Sequence, residues 1–448
     1  MIYLTLKKLT KIALNVYFRK IHIKGLEHIP EEGPFIIVAN HPSSFLDPIS
    51  IAAFVKQKIS FLAKGSMFSN KLIAGILSKL NMIPIYRAQD DPKMLGKNKE
   101  VFKGCYQKLS DKGVIMIFPE GTSENERKLR KIKTGAARIA LGAAKANGYN
   151  LNVKILPVGL NYTKSSRFRS EIFIEFAPFI SSEDYIENYK NDEIKTTKML
   201  TNDIEKSIKN LIIDIDKDEF AVLTERIESL LKNHLTAKEI GNDQFKKITT
   251  SQEIYKGIKY FQEKDKPLFN RTKKMVNTYF FNLKEIGISD KSIEKGTQQR
   301  NIGCYFLKNI PVLILGFPLW VFGYLHSFVP YKFPRFVALK ISKSEAFYGA
   351  LLMAIGTFSF ILFYGLMVLL CWQLSHNPPI TIGYALLLPA SGFFTIFYAR
   401  VARKIYYNLK FLKRLVNQQT LFLALLQERQ KIRNHLEEMS ILFMEKTK

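Results

Sequence analysis

Two polar segments carry the residue types needed for acid–base and anion-binding chemistry, and each follows an apolar run. The first is Asn40-His41-Pro42-Ser43-Ser44-Phe45-Leu46-Asp47-Pro48, the second Phe118-Pro119-Glu120-Gly121-Thr122-Ser123. A neutral imidazole can accept the proton of a hydroxyl as that hydroxyl attacks an acyl carbonyl. A carboxylate on the other ring nitrogen fixes the tautomer and stabilises the imidazolium. His41 and Asp47 are six positions apart, so on a regular helix of 3.6 residues per turn they would point about 240° apart, and only a loop brings them together. Asp47-Pro48 reads as a helix start, Asp at the cap and Pro at the first helical position. In Glu120-Gly121-Thr122, Gly lets backbone amides approach an anion closely and Thr adds a hydroxyl donor. Lys64, just past the apolar run 59–63, and Arg87, just past 83–86, supply cations for a phosphate. Ser43 and Ser44 lie outside any Gly-x-Ser-x-Gly turn, which argues against a serine nucleophile.

The elements that must position these residues follow from periodicity. Runs at 35–39, 59–63, 83–86, 114–118, 155–160 and 172–176 read as strands, with helices starting near Asp47, Lys71, Met94 and Lys133. Near-continuous apolar strands alternating with helices predict an α/β domain over residues 21–180, a mostly parallel sheet flanked by helices. Ligands of such sheets sit beyond the carboxyl ends of the strands, where all the residues above fall. Before this domain, residues 1–20 carry Leu9, Ile12, Ala13 and Val16 at helical spacing opposite Lys7, Lys8 and Lys11, the pattern of an amphipathic helix lying in a membrane interface or packed on the domain.

At 448 residues the chain exceeds the roughly 100–200 residues of a usual domain, so more than one part is expected. Lys and Arg number 67 against 39 Asp and Glu, a formal net charge of +28, which favours nucleic acid or anionic lipid as partner. The apolar distribution decides between them. Residues 310–329, 346–372 and 380–399 contain no Lys, Arg, Asp or Glu and each exceeds the ~18 residues of a membrane span. The basic residues flank these segments and no recognition motif appears, so membrane lipids are the expected partner and nucleic acid is not. Cys105, Cys304 and Cys371 lie far apart without a Cys-x-x-Cys or a His at ligand spacing, so neither a disulfide framework nor a metal site is expected. Residues 1–20 lack the continuous apolar core of a cleavable signal peptide, and the N-terminus is expected to stay cytoplasmic.

Residues 181–303 read as a Lys-rich helical insert with Phe220, Leu223, Ile227, Leu230 and His234 along one helix face, His234 as an edge residue of that stripe. The membrane region spans 304–399. Its link 375–379 has no Lys or Arg, whereas Lys332, Arg335, Lys340 and Lys343 precede the second apolar run and Arg400, Arg403 and Lys404 follow the third. Runs 346–372 and 380–399 are therefore expected to form a hairpin with both ends cytoplasmic. Run 310–329, interrupted by Pro311, Gly316, Pro318 and Gly323, fits a re-entrant segment better than a straight span. Residues 400–448 form a basic helix whose Phe422, Leu425, Arg429, Ile432, Leu436, Met439 and Phe443 follow heptad spacing, suited to a homodimer or to packing on the chain's own helices.

Taken in order, these segments resemble the glycerolipid acyltransferase family, often called the PlsC-type phosphate acyltransferases, over roughly residues 20–180. The family's His-x-x-x-x-Asp is similar to 40–48 with one extra residue, and its apolar strand ending in Arg to 83–87. Its Phe-Pro-Glu-Gly-Thr is present in full at 118–122, and its apolar-Pro-Val-Gly at 156–159. The longer His–Asp spacing resembles the glycerol 3-phosphate or dihydroxyacetone phosphate acyltransferases, which also place membrane segments after the catalytic domain. Asn81 stands where the family often has Gly, and Ser123 where it usually has Arg. Lys131 or Lys133 is a candidate replacement for that Arg, set against the reading of 127–131 as a solvated face. The resemblance implies transfer of a fatty acyl group from a thioester of coenzyme A or acyl carrier protein, the co-substrate, with no further cofactor. The acceptor would be a hydroxyl of glycerol 3-phosphate or 1-acylglycerol 3-phosphate, in phospholipid synthesis at the cytoplasmic membrane face. His41 would be the base and Asp47 its partner, with Arg87, Glu120, Gly121 and Thr122 on the phosphate side. Another lysolipid or amino-lipid acceptor, or an inactive lipid-binding scaffold, is the alternative, and intact His41, Asp47 and Glu120 argue against the scaffold.

The hairpin reading is checked by a Lys340→Cys variant in sealed vesicles: modification by a reagent confined to the cytoplasmic side is expected, and protection would require three full spans.

Overall fold

The run Phe35-Ile36-Ile37-Val38-Ala39 has no polar side chain, and a strand of that kind is stable only with both faces covered. In the computed structural model of the chain, which describes residues 2–87, 92–231, 245–296, 302–417 and 419–447, all five of these residues are buried at the middle of a sheet. In chain order the first elements are α1 (Ile2–Tyr17), β1 (Lys20–Lys24), β2 (Phe35–Ala39), α2 (Leu46–Ala52), β3 (Ile59–Lys64), α3 (Lys71–Lys79) and β4 (Met82–Ile85). There follow α4 (Asn98–Ser110), β5 (Val114–Ile117), α5 (Gly135–Ala146), β6 (Lys154–Tyr162), β7 (Glu171–Phe176), β8 (Ile180–Ser181), α6 (Ile186–Asn191) and α7 (Glu193–Leu211). The strands lie in the order β1-β7-β6-β2-β5-β3-β4, with β8 beside β6. Pairing is parallel except for β6 with β7 and β6 with β8.

Side chains alternate across the pleat. Ile36, Val38, Ile115, Ile117 and Ile155 pack under α4, α5 and α7. Phe35, Ile37, Ala39, Val114, Met116 and Leu156 pack with Leu14 and Tyr17 of α1 and Leu46 and Ile51 of α2. Each fully buried side chain of this kind contributes roughly 1.5–3 kcal/mol. The chain divides into a sheet unit, Met1–Asp214 with Ala338–Ala354, and a helical unit, Ile215–Val337 with Ile355–Lys448.

The α/β sheet with flanking helices is the expected class, and several boundaries differ. The sheet unit continues to Asp214 rather than ending at residue 180, because Leu200, Ile204, Ile208 and Leu211 of α7 cover one sheet face. The helix expected near Met94 begins at Asn98, after a 3-10 segment Pro92–Lys97, and the one expected near Lys133 begins at Gly135. β1 and β8 were not foreseen: Lys20-Ile21-His22-Ile23-Lys24 is short and basic, and β8 has two residues. In α1 the stripe Leu9, Ile12 and Val16 is exposed, and the helix packs through Leu14 and Tyr17 instead.

The helical unit holds α8 (Asp218–Leu231), α9 (Lys246–Lys264), α10 (Lys266–Ile286), α11 (Asp290–Gly296), α12 (Ile302–Leu315), α13 (Phe317–Ile341, to Val337), α14 (Glu345–Ser375, from Ile355), α15 (Pro378–Asn417) and α16 (Gln419–Thr447). Phe220, Leu223, Ile227 and Leu230 are buried as the α8 stripe predicts, and His234 lies outside the described residues. The heptad seam of α16 packs on helices of its own chain: Phe422, Leu425, Ile432, Leu436 and Met439 are buried, and Arg429 pairs with buried Asp290 at 2.8 and 3.3 Å. Tyr279 and Ser229 complete the shell of Asp290 at 2.8 and 2.9 Å. α14 and α15 are each long and apolar enough to cross a membrane, and a pair formed by Phe306–Leu315 and Phe317–Ile341 is bent by 60° at Gly316. α15 runs on through residues 400–417, so the basic segment is divided between α15 and α16 rather than forming one helix. Cys105 is buried and Cys371 partly so; the side chain of Cys304 lies outside the described residues.

Gly159 of β6 is where α7 comes closest. A Cβ there would lie 2.4 Å from Leu211 Cβ and 2.7 Å from Leu211 O. Gly159→Ala is expected to destabilise the sheet unit by about 1–3 kcal/mol, read as a lower thermal midpoint of detergent-solubilised protein. An unchanged midpoint would mean that α7 yields without cost.

Candidate active site

Asn40 ends β2 and locks it to β6, donating to the carbonyl of Leu160 at 2.9 Å and accepting from its amide at 2.8 Å. The chain then turns out of the sheet at His41. His41 Nδ1 lies 2.8 Å from Asp47 Oδ2, which also accepts the Ser43 amide at 2.7 Å. The other oxygen, Oδ1, accepts the Tyr162 hydroxyl at 2.7 Å. Asp47 is 0% exposed, so its charge rests on these donors. Burial first, then the Asp47 charge, pushes the Tyr162 phenol well above its ordinary value, which keeps it a donor. The six-residue separation is bridged by a loop, as the angular argument requires. α2 begins at Leu46 with Phe45 as its cap, so Asp47 sits inside the first turn and its side chain turns back onto the loop instead of capping the helix. Pro48 is still in that turn, where no backbone donor is needed.

With Nδ1–H held by a carboxylate, Nε2 is left as the acceptor. It has no protein partner among the described residues, and the His41 side chain is 18% exposed. The ring stacks on Phe118 with centroids 4.0 Å apart and planes at 15°.

The second loop is fastened to the first through backbone amides. His41 N–H donates to Glu120 Oε1 at 2.7 Å, and Ser44 N–H donates to Ser123 Oγ at 2.6 Å. Glu120 Oε2 accepts the Arg130 amide at 3.3 Å. Glu120 is buried, and burial raises its carboxyl above the ordinary value, opposed by those two amides and by the Arg130 charge. Its geometry is that of a clamp between loops rather than a contact on a phosphate, which a carboxylate would repel.

Cations gather around Gly121 and Thr122. Arg87 Nη1 donates to the Gly121 carbonyl, and Arg130 Nη1 donates to Thr122 Oγ1 at 2.9 Å. Arg130 also pairs with Glu124 and, at 3.6 Å, with Glu126. Gly121 adopts φ +74°, and a Cβ there would lie 2.7 Å from Lys133 Nζ. Lys133 N–H donates to the Pro119 carbonyl at 2.8 Å, so the ammonium lies over the turn. Both candidate replacements for the missing Arg are exposed, and Lys133 is the one beside the turn.

The structure thus brings together His41, Asp47, Arg87, Glu120, Gly121 and Thr122. Lys64 closes β3, between β5 and β4, with its side chain exposed. Sequence reasoning missed Tyr162, Arg130 and the tie through Ser123. Tyr162 is 115 positions from Asp47, and its only signal is that β6 neighbours β2. Arg130 was hidden in a basic run, although Leu129 and Ile132 on either side are buried and mark that stretch as packed. Among the described residues no three His, Cys, Asp or Glu side chains are grouped as metal ligands.

Residues 20–161, from β1 into β6, match the family model described as Acyltransferase. The chain is 22% identical over 390 residues to glycerol-3-phosphate O-acyltransferase 1 of Saccharomyces cerevisiae, a match covering 67% of this chain and 51% of that protein. It is 31% identical over 130 residues to the chloroplastic 1-acyl-sn-glycerol-3-phosphate acyltransferase LPAT1 of Arabidopsis thaliana, covering 29% of this chain and 35% of that protein. A solved structure, the 1-acyl-sn-glycerophosphate acyltransferase PlsC of Thermotoga maritima, matches at 20% identity and a TM-score of 0.34, covering 46% of this chain and 77% of that one. The chain spans about half the length of the yeast relative and about a third of the plant one. Both polar loops lie inside the stretch, residues 20–161, that is similar to the Acyltransferase family model.

Proposed function

We propose that the chain is a membrane-bound O-acyltransferase. It would move a fatty acyl group from a coenzyme A or acyl-carrier-protein thioester to a hydroxyl of glycerol 3-phosphate or 1-acylglycerol 3-phosphate, with the sheet unit on the cytoplasmic side. The observation that carries this reading is the His41 imidazole, held by a fully buried Asp47 on one nitrogen and without a protein partner on the other among the described residues. Nε2 takes the acceptor's hydroxyl proton as its oxygen attacks the thioester carbonyl, and the tetrahedral intermediate collapses with loss of the thiolate. The imidazolium returns the proton to that sulfur, so no acyl-enzyme is formed and the base is regenerated. Asp47 stabilises the transient imidazolium, while Ser43 and Tyr162 keep the carboxylate aimed at Nδ1. Arg87, Lys133 and Arg130 around the Gly121 turn supply positive charge for the acceptor phosphate. The net charge of +28 suits an anionic membrane face and acidic carriers of the thioester. The two acceptors are those named for the yeast and plant relatives, respectively.

The test is acyl transfer by detergent-solubilised protein from a labelled palmitoyl thioester to glycerol 3-phosphate and, in parallel, to lysophosphatidate. His41→Ala is expected to lower kcat by about 10²–10⁴-fold while the protein stays folded; retained turnover would remove the proposed base. Arg87→Ala is expected to raise the KM for the phosphate acceptor on the order of tenfold or more, the loss of a charged hydrogen bond worth about 1.5–3 kcal/mol. An unchanged acceptor KM would detach Arg87 from the phosphate.

A further inference from the structure

The first turns of α14 are the start of an apolar helix of membrane-spanning length, yet residues 338–354 fold with the sheet unit. Ala346, Gly349, Ala350 and Met353 recur at helical spacing and are all buried. Ala350 and Met353 pack in the same core cluster as Phe35, Ile37, Leu46 and Leu156. The contact reaches the loop that carries His41. Ser43, itself 0% exposed, donates through Oγ to the Ala346 carbonyl at 3.5 Å. Gly349 allows the approach, since a Cβ there would lie 2.7 Å from Ser165 O and 3.0 Å from Leu46 Cδ2. Asn125, just beyond the Gly121–Thr122 turn, donates to Glu345 Oε2 at 3.2 Å. The helix start therefore touches the first polar loop and the segment that follows the second.

One pair remains on the open side of this contact. Phe45, two positions before Asp47 and 39% exposed, meets Phe347 edge to face with ring centroids 5.9 Å apart. Phe45 thus presents apolar surface in the loop between His41 and Asp47, and Phe347 extends that surface onto the helix. Past Phe347 the helix carries an almost wholly apolar sequence to Trp372.

Resting on the acyltransferase reading, we propose that the first turns of α14 form one wall of the active site, and that the fatty acyl chain of the thioester lies along Phe45 and Phe347. Ser43, Gly349 and Ala346 are positioning residues in this arrangement, fixing the wall against the loop. The thioester end of the acyl chain then lies at His41.

The experiment compares palmitoyl and butyryl donors in wild type, Phe347→Ala and Phe347→Leu, by kcat/KM and by equilibrium binding of the non-hydrolysable thioether analogues. Phe347→Ala is expected to lower the palmitoyl-to-butyryl ratio on the order of tenfold, chiefly through KM, and Phe347→Leu to restore most of it. An unchanged ratio, or an equal loss with both donors up to loss of both, would mean that Phe347 is structural and would overturn the proposal. Wild-type protein that binds both analogues yet transfers neither chain would overturn the acyltransferase reading alone, because the binding comparison needs no turnover.

Discussion

The buried carboxylate of Asp47 is the constraint around which the sheet unit is arranged. Removing an ion of this size from water costs several kcal/mol unless donors replace the water, and here the donors come from different parts of the chain. His41 and Ser43 come from the loop after β2, and Tyr162 from the end of β6. They meet only because β6 lies beside β2 in parallel register, Phe35 opposite Lys154 and Ala39 opposite Val158. Asn40 holds that register at its end. A slip of one residue would turn Tyr162 to the opposite face and remove it from the carboxylate. Folding energetics and the geometry of the His41–Asp47 pair therefore depend on the same strand pair.

Glu120 repeats the device on the other side of β2. Its two oxygens take amides from His41 and Arg130, so two carboxylates hold the His41 segment, one through the ring and one through the backbone. The nearby cations offset this concentration of negative charge. Arg130 is shared among Thr122, Glu124 and Glu126, so part of its charge is offset within the loop itself. Ser123 in place of a cation makes room for the Ser44 amide, and the positive charge is supplied instead from farther along the chain.

Much of this was legible in the sequence, for physical reasons. Strand runs such as 35–39 and 114–117 are apolar on both faces and admit no other placement, and the polar segments that follow them fall at carboxyl ends by parallel connectivity alone. Asn81, read as a departure, adopts φ 59°, a conformation that Asn tolerates better than most residues. What could not be read was pairing between distant positions. Tyr162 with Asp47, Ser44 with Ser123 and Arg429 with Asp290 follow from strand order and helix packing, and each side chain alone resembles a solvated polar residue. α7 was assigned to the insert because its polar face is long and Lys-rich; its narrower apolar stripe is what attaches it to the sheet.

The two units are interleaved along the chain, and this sets an order of assembly. Ser43 and Ala346 are 303 positions apart. At about 5–20 residues per second, a ribosome needs roughly 15–60 s to travel between them. During that interval the sheet can form, but the His41 loop has no α14 beside it. The helix that completes the loop's surroundings begins a segment long and apolar enough to cross a membrane, so the His41 loop gains its last neighbour only when that segment is made. In the same way Asp290 and Tyr279 wait for Arg429, whose helix emerges only after both apolar hairpin segments have been made. During synthesis Asp290 thus stays without its cation until α16 brings Arg429 to it.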